Sequence, residues 1–143
     1  MGVIIIIIVD TTVIIDLWRG RPGVKECLAK YKDEKFSISA ITIEEIYDGL
    51  GYTKEKKGEE VYEQVKEQHE MILNDFHVVP LSLNIMQKSG LLRGELRARG
   101  VIRALEDIII MVTSQEIKAK KIITRNPIYF DESPVQVESY EIN

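Results

Sequence analysis

The sequence predicts an α/β fold built around a parallel sheet, and three observations lead to this prediction. Val3–Val9 is an unbroken apolar run dominated by β-branched Ile and Val, as expected of a strand buried on both faces. Strand-like and helix-like segments then alternate without a long linker, which is typical of parallel sheets with right-handed crossovers. At 143 residues the chain fits a single domain, which we place at residues 1–143.

The segments after the first strand follow this alternation. Val13–Trp18 predicts a short helix. Gly20 and Pro22 mark the entry to a second helix at about Gly23–Tyr31, since proline is favoured in a first helical turn. A second strand is expected at Phe36–Ser39.

A third helix is predicted from apolar residues with the spacing of one helical face, namely Ile43, Ile46, Tyr47 and Leu50. We expect Gly49 and Gly51 to end this helix. Lys54–Asp75 then has the charged pattern of a long helix. The remaining elements are a strand at Phe76–Leu81, a helix at Leu83–Arg99 ended by Gly100, a helix at Ala104–Ala119, and strands at Lys121–Thr124 and Val135–Tyr140.

Composition excludes several classes of protein. The lone Cys27 excludes a disulfide framework within the chain and a cysteine-based zinc site. Val3–Val9 is too short to span a bilayer and lacks the basic region of a signal peptide, so we expect no membrane association and a cytoplasmic location.

The net charge of −4 does not by itself indicate a nucleic-acid binder. Two basic groups could still form a local phosphate-binding surface, with solvated helix faces as the alternative explanation. These groups are Arg93, Arg97, Arg99 and Arg103, and Lys118, Lys120, Lys121 and Arg125.

Asp10 directly follows the first predicted strand. Ligands of open parallel sheets bind outside the carboxyl ends of the strands, which is where this carboxylate would lie. An acidic group there needs a partner, and a cation is the natural one. The alternative is that Asp10 only caps the following helix, because aspartate is a good N-cap residue.

Further carboxylates lie near the starts of predicted helices. Glu44 and Glu45 begin the third helix, and spacing alone does not decide which of them points toward the strand ends. Thr42 and Glu45 also fit a capping box, which is a purely structural role. Asp107, near the start of a later helix, has an equally simple role in stabilising the helix dipole.

The joint placement of these carboxylates indicates a metal site. Several carboxylates in one place repel one another unless a cation is present, and Mg²⁺ and Mn²⁺ prefer oxygen ligands. Such a site suits phosphoryl chemistry. The sequence contains no glycine-rich phosphate loop, and His69 and His77 lack metal-ligand spacing. We expect His69 to be solvated and His77 to be packed.

Four segments resemble PIN domains, and VapC-like toxin ribonucleases in particular, in sequence and in order: Val9–Ile15, Ile38–Leu50, Asp107–Ile110 and Thr124–Phe130. The resemblance covers nearly the whole chain. It implies a three-layer α/β/α sandwich with a central parallel sheet. It also implies cleavage of RNA that depends on Mg²⁺ or Mn²⁺.

The resemblance also implies roles for individual residues. Asp10, Asp107 and Glu45, rather than Glu44, match the metal-binding acidic residues. Thr12 matches the polar residue beside the first carboxylate, and Thr124 opens the last motif.

Asn126 stands where many members of the family carry a fourth aspartate, which reduces the charge of the site by one. A second metal ion would then bind more weakly. Glu106 and Asp131 are carboxylates that could compensate. We assign Asn126 to the catalytic set with the three carboxylates, and expect it to orient water or phosphate together with Thr12.

The mechanistic hypothesis is metal-assisted hydrolysis, in which water attacks the phosphodiester in line while Arg125 or nearby lysines hold the RNA backbone. Two alternatives remain. A catalytically weak or inactive PIN module that binds RNA or a protein is consistent with Asn126. A phospho-acceptor receiver domain would need an aspartate at the end of the Phe76–Leu81 strand, which this chain lacks.

The resemblance further implies two protein partners, a small antitoxin that blocks the active site and a second copy of the chain in a homodimer. Apolar residues on the early helices could serve either contact or belong to the core. These residues are Leu17, Trp18 and Leu50.

Overall fold

A computed structural model describes residues 3–143. Five strands form one parallel sheet in the order β3-β2-β1-β4-β5. They are β1 (Ile6–Val9), β2 (Lys35–Ser39), β3 (His77–Val79), β4 (Lys121–Ile123) and β5 (Gln136–Glu138). The helices are α1 (Thr11–Trp18), α2 (Pro22–Ala29), α3 (Ala40–Lys57), α4 (Glu59–Leu73), α5 (Leu83–Ala98) and α6 (Leu105–Glu116), and a 3₁₀ turn, η1, spans Pro127–Phe130.

The helices cover both faces of the sheet, which confirms the predicted three-layer fold. Successive side chains of a strand point to opposite faces. Ile7 and Val9 of β1 accordingly pack in a core with residues of α1, α2, α3 and α4. Ile8 packs on the other face, in a core with residues of α5 and α6. All three side chains are fully buried, so the apolar run of the central strand serves two cores.

The first strand is shorter than the apolar run that predicts it. Pairing of β1 begins at Ile6 opposite Lys35 of β2 and at Ile7 opposite Lys121 of β4. Val3 and Ile4 lie before the first residue of β1 that pairs with a neighbouring strand, and they are 88% and 77% exposed. The apolar run is therefore longer than the strand, and its first residues are not buried by the sheet.

The predicted end of the third helix at Gly49 and Gly51 is wrong, because α3 continues through both glycines to Lys57. Glycine in a helix costs about 1 kcal/mol, and burying a large aliphatic side chain gains about 2 kcal/mol. Ile46 and Leu50 on this helix are buried in the core, which outweighs that cost. The break comes at Gly58, whose φ of +93° favours glycine, so the predicted Lys54–Asp75 helix divides between α3 and α4.

The expectations for the two histidines are both wrong. His69 is buried, its ring stacks on Trp18 at 4.8 Å between centroids, and its Nδ1 lies 2.8 Å from the carbonyl oxygen of Val65. His69 therefore lies on the side of α4 that packs against the molecule. The many charged residues of this segment led to the prediction that it is solvated. His77 is exposed because β3 is an edge strand.

Three residues of the two predicted basic groups are engaged in ion pairs rather than forming a free basic surface. Lys121 is buried, and its Nζ donates to Glu138 at 2.8 Å and to the Tyr31 hydroxyl at 2.7 Å. Burial opposes ionisation of Glu138, but hydrogen bonds from its neighbours outweigh burial and lower its pKa to about 2. Arg103 forms two hydrogen bonds with Glu132, and Arg125 pairs with Asp16. Within residues 3–143, no helix has the length and apolar character needed to cross a bilayer.

Candidate metal centre

The candidate site lies where the order of the strands reverses. The chain builds β1, β2 and β3 toward one edge of the sheet and then returns to place β4 on the other side of β1. A crevice at the carboxyl ends of β1 and β4 is the usual ligand position in open parallel sheets. Asp10 follows β1, and Thr124, Arg125 and Asn126 follow β4.

Asp10 is held by two threonine hydroxyls. Thr12 Oγ1 donates to Asp10 Oδ1 at 2.5 Å, and Thr124 Oγ1 donates to Oδ2 at 2.6 Å. Asp10 occupies the N-cap position of α1, but its side chain makes no capping hydrogen bond. Capping of α1 alone therefore does not explain this carboxylate, because a threonine hydroxyl binds each of its two oxygens. Burial raises the pKa of Asp10 above its ordinary value, against the lowering effect of the two hydroxyl donors.

Glu45 faces the site and Glu44 does not. The N-cap of α3 is Ser39, whose Oγ accepts from the backbone nitrogen of Ile41 at 3.1 Å, so the capping box of Thr42 and Glu45 is not formed. Glu45 is half-buried, and its Oε1 accepts a hydrogen bond of 2.5 Å from the Thr11 hydroxyl. Glu44 is exposed. Burial raises the pKa of Glu45, and the charges of Glu106 and Asp10 raise it further.

Asp107 lies in the first turn of α6 and is half-buried. Burial raises its pKa to about 6, and repulsion by Asp10, Glu45 and Glu106 adds to this effect. The nearby Arg103 acts in the opposite direction without cancelling the increase. The three predicted carboxylates therefore lie close enough to perturb one another, and the fourth contributor is Glu106.

The β4–η1 loop, residues 124–126, completes the site. Thr124 accepts a hydrogen bond of 3.0 Å from the backbone nitrogen of Asn126 while donating to Asp10. The backbone nitrogen of Arg125 donates to Thr12 Oγ1 at 3.1 Å. Asn126 is partly buried at the start of the 3₁₀ turn. All the predicted site residues thus belong to segments at this edge of the sheet.

Three contacts of this region were missed by sequence reasoning. Asp16 is fully buried and binds both Arg125 and the Tyr140 hydroxyl. Thr11 contacts Glu45, although it lies within the first motif. An aspartate inside the otherwise apolar segment Val13–Trp18 is a signal that a buried cationic partner exists, but no sequence pattern identifies Tyr140.

The donor chemistry fits a hard divalent cation, because carboxylate and hydroxyl oxygens are the ligands that Mg²⁺ and Mn²⁺ accept. In the conformation described for residues 3–143, no three His, Cys, Asp or Glu side chains converge on a single ion position. Like charges without a counter-ion separate. Asp10 is fixed by its hydroxyl donors, whereas Glu45 and Asp107 are only half-buried.

The protein-family model of the PIN domain matches residues 7–133 of this chain. The chain belongs to the PIN domain family. The matched region contains all the predicted site residues of this PIN domain, from Asp10 to Asn126, and ends before β5. No curated protein matches the chain.

Solved structures with the same fold include toxin–antitoxin proteins. VapBC2 from Rickettsia felis, bound to a DNA fragment from its promoter, is 23% identical with a TM-score of 0.80, covering 96% of this chain and 100% of that chain. VapBC from Salmonella typhimurium, bound to DNA, is 19% identical with a TM-score of 0.78, covering 95% and 98%. A toxin–antitoxin complex from Klebsiella pneumoniae is 30% identical with a TM-score of 0.68, covering 92% and 94%.

Proposed function

We propose that this PIN domain is an endoribonuclease that depends on Mg²⁺ or Mn²⁺ and is the toxin of a toxin–antitoxin pair in the cytoplasm. The observation that carries the proposal is the group of mutually repelling carboxylates at the switch point of the sheet. Burial raises the pKa values of Asp10, Glu45 and Asp107 there, and the charges of neighbouring carboxylates raise those of Glu45 and Asp107 further, so a bound cation would stabilise the ionised forms of all three.

The proposed role of each site residue follows from its position. Asp10 is the fixed ligand, because its orientation is set by two hydroxyl groups. Glu45 and Asp107 are the adaptable ligands, because each is half-buried and has room to turn toward a cation. Thr12, Thr124 and Asn126 are at the same crevice and would orient water or a phosphate oxygen. When bound, Mg²⁺ would neutralise phosphate charge and acidify water.

Arg125 is the candidate contact for the RNA backbone. Its side chain is 28% exposed, and its guanidinium donates a hydrogen bond of 2.7 Å to the buried Asp16 carboxylate. A guanidinium held in this way presents a fixed cation at the edge of the acidic crevice, where the charge of a phosphodiester would otherwise be repelled.

The neighbouring glutamates Glu45 and Glu44 provide a matched test. We expect Glu45→Gln to reduce RNA cleavage about 100-fold and to weaken Mn²⁺ binding, because it removes a half-buried ligand charge. Glu44→Gln removes the same charge from an exposed position and should keep activity within about twofold. Cleavage of a mixed RNA substrate would be measured with Mg²⁺, with Mn²⁺ and with a chelator, and Mn²⁺ affinity by calorimetry. Cleavage that persists in the chelator would refute metal dependence.

An antitoxin partner is part of this proposal. It is supported by the solved toxin–antitoxin complex from Klebsiella pneumoniae, which has the same fold. On this chain, Trp18 is 38% exposed and lines a groove between α1, α3 and α4. Tyr47 of α3 is 39% exposed. Leu50 is 2% exposed and belongs to the core, and Leu17 packs against the same core.

A homodimer is also proposed, and the outer face of α5 supports it. This helix buries Ile85, Ser89 and Leu96 against the molecule, yet it also exposes Leu83 and Leu91, at 76% and 68%. A helix that covers a monomer normally carries polar residues on its outer face.

We expect Leu91→Glu to shift the protein from dimer to monomer without changing its melting temperature, as measured by sedimentation and calorimetry. Arg93→Glu would be the control for a negative charge added to the same helix, because Arg93 is exposed and forms no ion pair among the described residues. A monomeric wild type would refute the homodimer.

The alternative function, a catalytically weak PIN module that binds RNA or protein, is favoured by Asn126 and by the separation of the carboxylates. Metal titration discriminates between the two functions. A degenerate site would bind Mn²⁺ no better in the wild type than in Asp10→Asn.

A further inference from the structure

The buried carboxylate of Asp16 joins the C-terminal tail to the candidate site. Asp16 is fully buried in α1, six residues after Asp10. Its Oδ1 accepts a hydrogen bond of 2.7 Å from Arg125 Nη1, and its Oδ2 accepts one of 2.7 Å from the Tyr140 hydroxyl. A buried carboxylate requires such donors, so these two groups satisfy both of its oxygens.

The backbone of Arg125 connects this buried network to Asp10. The backbone nitrogen of Arg125 donates to Thr12 Oγ1 at 3.1 Å, and Thr12 Oγ1 donates to Asp10 Oδ1 at 2.5 Å. The preceding residue, Thr124, donates to the other oxygen of Asp10. The conformation of the β4–η1 loop therefore determines the orientation of the Asp10 carboxylate.

The tail that supplies Tyr140 lies outside the part of the chain matched by the PIN model, which ends at residue 133. The tail packs closely against Gly23 of α2. A Cβ atom on Gly23 would lie 1.5 Å from the carbonyl oxygen of Glu141, so only glycine allows the tail to pass this closely. Ser139 Oγ also lies 3.4 Å from the carbonyl oxygen of Arg125.

We propose that Tyr140 and Asp16 are positioning residues for the active site: the tail, through the Tyr140 hydroxyl, holds Asp16 and Arg125 in the arrangement that orients Thr12 and Asp10. This inference rests on the proposed nuclease function and adds to it a part of the chain beyond the family match. Neither Tyr140 nor Asp16 is required to touch RNA or metal. Their effect is exerted through the loop that carries Thr124 and Arg125.

Tyr140→Phe is the direct test, because it removes one hydroxyl and keeps the ring. We expect kcat for RNA cleavage to fall about tenfold with KM changed less than about twofold, since the loss of one hydrogen bond to a carboxylate misorients a ligand without removing a contact to substrate. Tyr52→Phe makes the same change at a side chain that is 67% exposed and should leave kcat unchanged. A lower melting temperature with unchanged kcat would show a merely structural role and overturn the proposal.

A double-mutant cycle tests the route. If Tyr140 acts through Asp16, then Tyr140→Phe introduced into Asp16→Asn should lower kcat by less than about twofold beyond the single Asp16→Asn variant. A full tenfold decrease in that background would mean that the two residues act independently, which would overturn the proposed connection.

A third measurement does not depend on catalysis. The Arg125 amide should exchange its hydrogen about tenfold faster in Tyr140→Phe than in the wild type, because its acceptor Thr12 is held less firmly, while amides of β1 keep their rates. Equal Arg125 exchange rates in the two proteins would overturn the inference. A wild type that cleaves no RNA would refute the proposed function alone, and the exchange result would still decide whether Tyr140 orders the loop.

Discussion

Replacing Asp107 with asparagine is expected to abolish RNA cleavage and, at the same time, to stabilise the metal-free protein. Activity should fall about 1000-fold, because a ligand charge is lost from a site that works by electrostatic stabilisation. The free energy of unfolding at pH 7.5 should rise by about 1 kcal/mol, because the variant removes a half-buried charge that Asp10 and Glu45 repel, and solvent screens part of the effect.

The gain in stability has a defined pH dependence. The Asp107 carboxyl in the folded protein has a pKa of about 6, above its ordinary value of 3.8. Between these values the unfolded chain loses this proton while the folded protein retains it, so ionisation favours unfolding as the pH rises. Asp107→Asn should therefore match the wild type below about pH 4 and exceed it fully above about pH 6.

Urea unfolding at several pH values, in a chelator, would measure this effect. Asp48→Asn provides the control, because Asp48 is exposed on α3 and its replacement should change neither stability nor cleavage. Asp10→Asn should lose activity to the same extent. Full activity in both Asp10→Asn and Asp107→Asn would eliminate the nuclease assignment.

The second large effect is on the free energy of unfolding. Asp16→Ala should lower the free energy of unfolding by about 3 kcal/mol, because it leaves Arg125 without its buried counter-charge and the Tyr140 hydroxyl without its acceptor. Asp16→Asn keeps the shape and an acceptor oxygen, so it should cost less. Chemical unfolding of both variants, with the exposed Asp33→Ala as control, would establish the order. A loss below 1 kcal/mol in Asp16→Ala would contradict the importance of the buried pair.

Local patterns predicted the strands and most of the helices because these elements depend on the spacing of apolar residues. The end of α3 shows the limit of such patterns. Gly49 and Gly51 are locally unfavourable in a helix, but burial of Ile46 and Leu50 against the sheet outweighs them. His69 shows the same limit, since its segment is charged overall while its own side chain faces Trp18.

The candidate site was predictable to the extent that it depends on where strands end. Asp10 follows β1, Thr124 follows β4, and the carboxyl ends of parallel strands share one edge of the sheet, so the sequence alone determined which end of the molecule carries the site. The choice of Glu45 over Glu44 already rested on the family resemblance, and the structure adds its contact with Thr11.

The tertiary structure alone decided what holds that site in place. Arg125 and Asp16 are separated by 109 residues, and Tyr140 and Asp16 by 124. Such contacts depend on the order of the strands and on the path of the C-terminal tail over Gly23. Neither of these features produces a periodic pattern of residues in the sequence. The sequence therefore predicted the acidic ligands, and the fold determined the buried Asp16 network, which we propose orients the first of them.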